Sequence, residues 1–355
     1  MNKQFKLGSI SLGIMLASGM VMADTTVYGV GHISYDSVDD GTNSTTGLAS
    51  NSSRLGFKGS NEVADGIKAI YQFETGVDVS GRSGADGNGG GKRDGQLFTN
   101  ARDSFVGLSG AFGTIMGGRL GVENQWLYDA NLFGDQVGDL GNFWGMQSGI
   151  PGRADGVIAY ASPDFGSVDF ILAYKGEEGT KNSAASVAKV NFKVADLKVG
   201  LGYAGIGKGN YTTPAGLKDS TATAITASYA FDKVNLVAGY QSVSNLNGTT
   251  ADQTSWTAGT SFAANDKMTV KAQYMALNND GVNTDATGYA IGLDYGISKN
   301  TTAYVAYAST SNDAAAQVQA NSWGHGDSFG STIAAGKDPS ALSVGVVYKF
   351  DAKVF

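Results

Sequence analysis

The chain has 355 residues, with 25 Lys and Arg against 32 Asp and Glu, a formal charge of −7 and no cysteine. The lack of cysteine excludes a disulfide-built scaffold and any thiolate nucleophile or metal ligand. An acidic balance without a basic run excludes nucleic acid as a partner.

At the N-terminus Lys3 and Lys6 precede an apolar, small-residue-rich stretch from Leu7 to Met22, and Val21-Met22-Ala23 offers small residues at −3 and −1 of a cleavage site. That order predicts a secretory leader, residues 1–23. Its apolar part is short for a spanning helix, which needs about 20 residues. Cleavage removes two lysines and takes the formal charge from −7 to −9. The remainder, 24–355, contains no long apolar run and reads as one domain. Its 52 Gly, 16 Tyr and 16 Phe with only 4 Pro suit short strands.

From Asp24 onward one rhythm repeats, about ten alternating residues and then a turn. Val168, Phe170, Leu172 and Tyr174 alternate with Asp169, Ile171, Ala173 and Lys175. The same phase returns in Leu197, Val199, Leu201 and Tyr203, in Val234, Leu236, Ala238 and Tyr240, and in Met268, Val270, Ala272 and Tyr274. Sixteen such segments are predicted, at 25–36, 51–60, 66–78, 98–109, 112–120, 155–162, 167–176, 184–194, 196–206, 221–231, 233–244, 252–263, 267–278, 286–297, 300–311 and 340–350. Short turns, such as Gly110-Ala111, Ala195-Asp196, Phe231-Asp232 and Ser298-Lys299, alternate with polar links at 37–50, 79–97, 121–154, 207–220 and 312–339. The glycine-rich run Ala85 to Gly91 falls in the long set.

An even strand number, unequal loops at the two ends, and Lys, Arg, Asn and Gln on the second face predict an all-β fold. It is a 16-stranded antiparallel transmembrane β-barrel, closed because lipid offers no partner to an unpaired edge. A soluble two-sheet sandwich has comparable loops at both ends and hides its apolar face. Tyr160, Tyr174, Tyr203, Tyr229, Phe231, Tyr240 and Tyr295 fit aromatic girdles at the lipid boundary.

No catalytic set is evident. His32 falls inside the first strand and His325 in a long loop, each by itself, which leaves a hydroxyl nucleophile without a base. Gly205-Ile206-Gly207-Lys208-Gly209 lacks phosphate-loop spacing and a following helix, and reads as a loop. Asp36, Asp39 and Asp40 read as loop residues rather than a divalent-cation site. No cofactor or metal is implied.

The link between the fifth and sixth strands stands apart. About 35 residues without periodicity in a chain of short links mark a functional loop, at about 120–154. It carries Glu123, Asp129, Asp135 and Asp139 together with Trp126, Tyr128, Phe133, Phe143 and Trp144. A polar surface loop has no use for five large aromatics, so the segment is expected to fold inward against the wall.

These residues resemble the trimeric general diffusion porins of Gram-negative bacteria, over essentially the whole mature chain and most strongly between Asn51 and Lys175. Asn51-Ser-Ser-Arg54-Leu-Gly-Phe-Lys-Gly59 looks like that family's second strand, with a basic lumen residue at Arg54. Asn100-Ala-Arg102-Asp-Ser-Phe-Val-Gly-Leu108 looks like its fourth, with Arg102 in the corresponding place. Tyr128-Asp129-Ala130 resembles the entry to the third loop, which aligns Asp135 and Asp139 with the acidic constriction residues. Arg153, followed by Gly156-Val157 and Tyr160, matches the arginine at the loop's exit. The resemblance implies a homotrimer in the outer membrane, a lipid-bilayer partner, and passive diffusion of small hydrophilic solutes and ions. Pore constriction then falls to Arg54, Arg102, Arg153, Asp135 and Asp139. A solute-selective channel and an adhesin that acts through its outer loops are the other readings of the same barrel.

Phase points the same way. Arg54 is out of phase with Leu55 and Phe57, Arg102 with Phe105, and Arg153 with Ile158 and Tyr160, so all three avoid lipid. Across a strand spacing of about 4.8 Å they form a basic ladder about 20 Å wide. A carboxylate facing it about 10 Å away is worth about 0.4 kcal/mol at the dielectric of water, and more beside a low-dielectric wall. The acidic total predicts a mild cation preference. Two departures stand out: Asn100 is neutral where the family carries further basic residues, and Asp351-Ala-Lys-Val-Phe355 follows the last strand. That extension reads as a short tail, or as a way to present Phe355.

Overall fold

The computed structural model describes residues 24–80, 97–211, 217–326 and 333–354. The expected leader 1–23, the run Ala85 to Gly91 and Phe355 lie outside the described residues.

Period-two alternation with few prolines gives eighteen β-segments among the described residues. They are β1 (Asp24–Asp39), β2 (Ser44–Ser50), β3 (Arg54–Ala64), β4 (Ile67–Val77), β5 (Phe98–Ala101), β6 (Ser104–Gly110), β7 (Gly113–Gly121), β8 (Arg153–Ala161) and β9 (Val168–Lys175). The second half holds β10 (Ala185–Val194), β11 (Leu197–Ile206), β12 (Ser220–Phe231), β13 (Val234–Ser244), β14 (Gln253–Ala263), β15 (Met268–Asn279), β16 (Ala286–Ser298), β17 (Thr301–Asn312) and β18 (Ser340–Lys353).

The eighteen segments make sixteen strands. β2 and β3 both pair with β1, on either side of a break at 51–53, and β5 and β6 both pair with β4. Every other strand pairs antiparallel with its sequence neighbours, and β1 pairs with β18 from Thr26↔Lys353 to Asp39↔Ser340. The sheet is therefore a closed 16-stranded antiparallel barrel with no edge. No helix among the described residues is long and apolar enough to cross a membrane.

The two faces are inverted relative to a soluble protein. In β12, Ala222, Ala224 and Thr226 are buried while Ile225 is exposed; in β13, Gln241 and Val243 are buried while Leu236 and Tyr240 are exposed. Phe57, Phe73, Val106, Ile158, Leu172 and Leu201 extend this exposed apolar belt round the barrel. Small and polar residues face inward and large apolar ones outward, the pattern of a strand between lipid and water. Tyr229, Phe231 and Tyr295, near the short-turn ends of β12 and β16, are exposed as a girdle requires.

At the short-turn end, Ala195 and Asp232 follow β10 and β12 at φ 51° and 48°. That left-handed backbone matches the twist of the flanking strands.

Two expectations are corrected. The link at 37–50 is only a turn, because Ser44–Ser50 form β2. Asp40 accepts from Thr42 N and Asn43 N, and Asp39 accepts from Gly41 N, so these carboxylates close the hairpin. The β-branched Thr45 and Thr46 then continue the ladder. The C-terminal residues are not a loose tail either: β18 runs to Lys353, and Val354 N donates to Thr25 O.

The lipid-facing assignment is testable at Leu201, mid-way along β11. Leu201→Arg should lower the stability of the refolded barrel by about 2–4 kcal/mol, read as a shift in its urea midpoint in lipid. Leu201→Met, which stays apolar at the same depth, should not show that cost.

Candidate functional site

The 122–152 link packs against residues of several strands of the barrel. It holds a one-turn helix, α1 (Asn124–Leu127), and a 3₁₀ turn at Leu140–Asn142. Trp126, Phe133, Phe143 and Trp144 are fully buried, as are Leu127 and Leu140, whereas Tyr128 stays exposed. Glycines on the strands make room for them. A Cβ on Gly202 would come within 2.6 Å of the Trp126 ring, one on Gly239 within 2.8 Å of Trp144, and one on Gly288 within 2.5 Å of Phe143.

Polar side chains of the same wall hold the link by its backbone and amides. Trp126 Nε1 donates to Gln241 Oε1 (2.8 Å), whose amide donates to Glu123 (2.7 Å). Gln273 accepts from Leu132 N (2.9 Å) and donates to Ala130 O (2.9 Å). Lys271 donates to Gln136 (2.9 Å), pairs with Asp294 (3.0 Å) and lies 4.6 Å from the centre of the Phe133 ring. Lys189 bridges the Asp129 carboxylate and the Gln125 carbonyl.

Arg54 and Asp135 are brought together, Nη1 to Oδ2 at 3.6 Å. Asp135 occupies a left-handed backbone (φ 61°) that turns its carboxylate toward β3. Asp139 is not on the pore surface. It is fully buried and accepts from Asp135 N (2.6 Å), Gly141 N (2.7 Å) and Asn131 Nδ2 (2.7 Å), so it builds the turn that carries Asp135. Arg102 is buried and donates Nε to Glu74 (2.6 Å). Arg153 donates Nε to Asp103 (2.6 Å).

Each arginine thus has a carboxylate in contact rather than one facing it across about 10 Å of water. The phase step also needs correction. Arg102 sits in the break between β5 and β6, and Phe105 is on the inner side with Leu120 and Val157 while Val106 and Leu108 face out. A register shift between Gly118 and Leu120, with Gly156 at φ 65°, interrupts the alternation between Arg153 and Ile158.

The comparisons with known proteins agree with this architecture. The family model described as Gram-negative porin matches residues 11–315. The chain belongs to the Gram-negative porin family. A major outer membrane protein P.IA of Neisseria meningitidis is 36% identical over 165 residues, 43% of this chain and 38% of that protein. Outer membrane porin protein 32 of Delftia acidovorans is 31% identical over 201 residues, 52% and 54% of the two chains. These matches span about half or less of the relatives' length. Among solved structures, an anion-selective porin from Comamonas acidovorans superposes with a TM-score of 0.78 at 24% identity, covering 93% of this chain and 100% of that one. The relatives are outer-membrane porins, and a multi-strand barrel places this porin in the outer membrane as well.

Several site residues of this porin escaped the sequence reading. Glu74, Lys189 and Lys271 are out of phase with Phe73, Val190 and Val270, so the alternation carried their signal. Asp103 and the partner of His325 carried none. His325 is not solitary, since its Nε2 lies 2.9 Å from Asp36 Oδ2 with both side chains fully buried.

Two carboxyls of the link, Glu123 and Asp139, are fully buried. Burial pushes Glu123 up to about 7 against its hydrogen bonds from Gln241 and Ser148. Burial first, then the Asp135 charge, pushes Asp139 up to about 8. A raised carboxyl binds its proton more tightly folded than unfolded. Its stabilisation is complete below the unfolded value near 4.5 and is lost as pH rises through about 7. Glu123→Gln, which keeps an acceptor for Gln241 and cannot ionise, should match the wild type in urea stability at pH 4 and exceed it at pH 8. The gap should be on the order of 3 kcal/mol. Parallel pH profiles for the two proteins would remove the assignment.

Proposed function

We propose that this porin is a water-filled channel through which small hydrophilic solutes and ions diffuse passively, and that the 122–152 link is the loop that folds inward to narrow it. The observation that carries this reading is that the link touches both sides of the barrel. Its anchors Lys189, Gln241, Gln273 and Lys271 lie on β10, β13 and β15. Asp135 instead reaches Arg54 on β3, which lies far round the closed sheet from them. A segment held at both places crosses the lumen. No catalysis, cofactor or metal enters this reading. Export with loss of residues 1–23 and assembly as a homotrimer belong to it through the family resemblance.

We assign the constriction to Arg54, Asp135, Arg102 and Arg153, with Asp139 as the buried support of Asp135. Guanidinium and carboxylate in contact form short dipoles rather than two charged walls, and at about 4 Å such a pair is worth about 1 kcal/mol at the dielectric of water and about 4 at an effective dielectric of 20. These dipoles order water, so an apolar molecule must displace it without replacing its hydrogen bonds, while a polar solute replaces them.

The sign of selectivity follows from which partner meets water. Side-chain exposure is 13% for Arg153 against 39% for Asp103, 6% for Lys189 against 36% for Asp129, and 7% for Lys271 against 27% for Asp294. In these three pairs the carboxylate is the wetter member, whereas Arg54 and Asp135 are about equally exposed and Arg102 and Glu74 are both buried. This supports a mild cation preference, unlike the anion-selective porin of Comamonas acidovorans, whose likeness shows the fold alone. In planar bilayers under a salt gradient, wild-type reversal potentials should lie on the cation side. Asp135→Asn should move them toward the anion side by unpairing Arg54, and Asp139→Asn should not. Identical potentials for Asp135→Asn and wild type would exclude Asp135 from the constriction.

A further inference from the structure

The link between β17 and β18 has its own inward course. Its start is fixed by Asn312, which accepts from Val318 N and donates to Val318 O. Ala316 and Val318 join the buried cluster of Phe143 and Trp144, and Ala320 joins that of Phe133 and Val137. From there it meets the 122–152 link directly. Gly138 N donates to Ala320 O (2.8 Å), and Asn142 Oδ1 accepts from both Ser322 N (2.9 Å) and Trp323 N (2.7 Å).

Trp323 occupies a slot that only glycine leaves open. A Cβ on Gly141, Gly145 or Gly152 would come within 2.0, 2.7 or 2.9 Å of its ring, and its Nε1 donates to Tyr128 Oη at 3.3 Å. The next residue, Gly324, has φ 67°, and a Cβ there would lie 2.6 Å from Asp135 Oδ1. Then His325 meets Asp36 on β1, and Gly326 N donates to Asn51 Oδ1 (2.9 Å) in the break between β2 and β3. Three consecutive residues thus tie the middle of one link, the Arg54–Asp135 pair and the barrel wall to one another.

We propose that residues 313–326 are a clasp of the constriction: Trp323 wedges the 122–152 link in place, and Gly324 with His325 fixes the Asp135 end of it against β1. The role rests on reading 122–152 as the constriction. Its consequence is that pore cross-section and selectivity depend on a loop outside that segment. Without the indole, the Asn142–Tyr128 stretch loses its packing on the lumen side and is held from the strand side alone.

The test is single-channel recording of wild type, Trp323→Ala and the pair Asn142→Cys with Ser322→Cys, each refolded and checked for β-rich circular dichroism. The chain has no other cysteine, so any disulfide in the pair joins the two links. Trp323→Ala should lose the uniform wild-type conductance level, with a larger mean step and more current noise. The oxidised pair should have lower noise than the same protein after reduction. Wild-type levels and noise in Trp323→Ala overturn the clasp, as does failure of the pair to cross-link in the folded barrel or a cross-link without effect on noise. If Trp323→Ala does not fold, the cross-linked pair alone decides. Absence of conductance in the wild type would instead refute the channel reading, which keeps the two failures distinct.

Discussion

An unpaired peptide group in hydrocarbon costs several kcal/mol, so a sheet in a membrane has to close on itself. Here closure is made by the first and last strands, β1 and β18, paired over 14 residue positions from Thr26↔Lys353 to Asp39↔Ser340. That seam explains the C-terminus. Asp351 to Lys353 look expendable by their polarity, yet they supply the last pairs opposite Thr26 to Tyr28. Besides the two breaks, the register shifts only locally, at Glu62/Ala64, Gly118/Leu120 and Gly296/Ser298, without opening the ring. A barrel tolerates an interruption where side chains or loops can take over the backbone's hydrogen bonds. At 51–53, Ser53 Oγ does this, accepting from His32 N (2.9 Å) and donating to His32 O (3.0 Å).

Once the wall is closed, its inner face becomes a place where charge is cheap to keep and useful to place. Arg54, Arg102, Arg153, Lys189 and Lys271 each take a carboxylate partner. Pairing reduces the cost of partial burial for the basic groups, and beside Arg153, Lys189 and Lys271 the carboxylate is the more exposed partner. The lysines have a second role that arginine ladders alone do not suggest. By bonding the backbone carbonyl of Gln125 and the amide of Gln136, they pin a loop without presenting their charge to the solute.

Most of the barrel was legible because lipid and water impose a two-residue period that no other environment imposes so consistently. Strand β11, with Leu197, Leu201 and Tyr203 exposed and Ala204 and Ile206 buried, is read correctly from alternation alone. The same rule fails where the backbone breaks step. Arg102 and Phe105 straddle an interruption, so counting by twos across it assigns Phe105 to the wrong face although Arg102 does avoid lipid. Asp139 misled for another reason: spacing along a loop says nothing about burial, and its capping of the Leu140–Asn142 turn depends on Asn131 and Asp135 folding around it. Glu74 and Lys271 were in the pattern and readable as inward residues, but their partners Arg102 and Asp294 required the register between strands.

The meeting of His325 with Asp36, 289 positions apart in sequence, lies beyond any local rule. It also changes what the outer loops are for. A loop displayed to capture a partner keeps its apolar and aromatic residues free at the surface, whereas Val318, Ala320 and Ala316 are buried against the 122–152 link and Trp323 fills its glycine slot. The described part of this link is therefore committed to packing on the 122–152 link, which weighs against the adhesin reading for that loop. Two links that share a packed interface move as one body more readily than either does alone, because displacing Trp323 exposes the apolar cavity it fills and strips Asn142 of two donors at once. On the proposed channel reading, the constriction is thereby set by an interface between the two links as much as by the barrel wall that carries them.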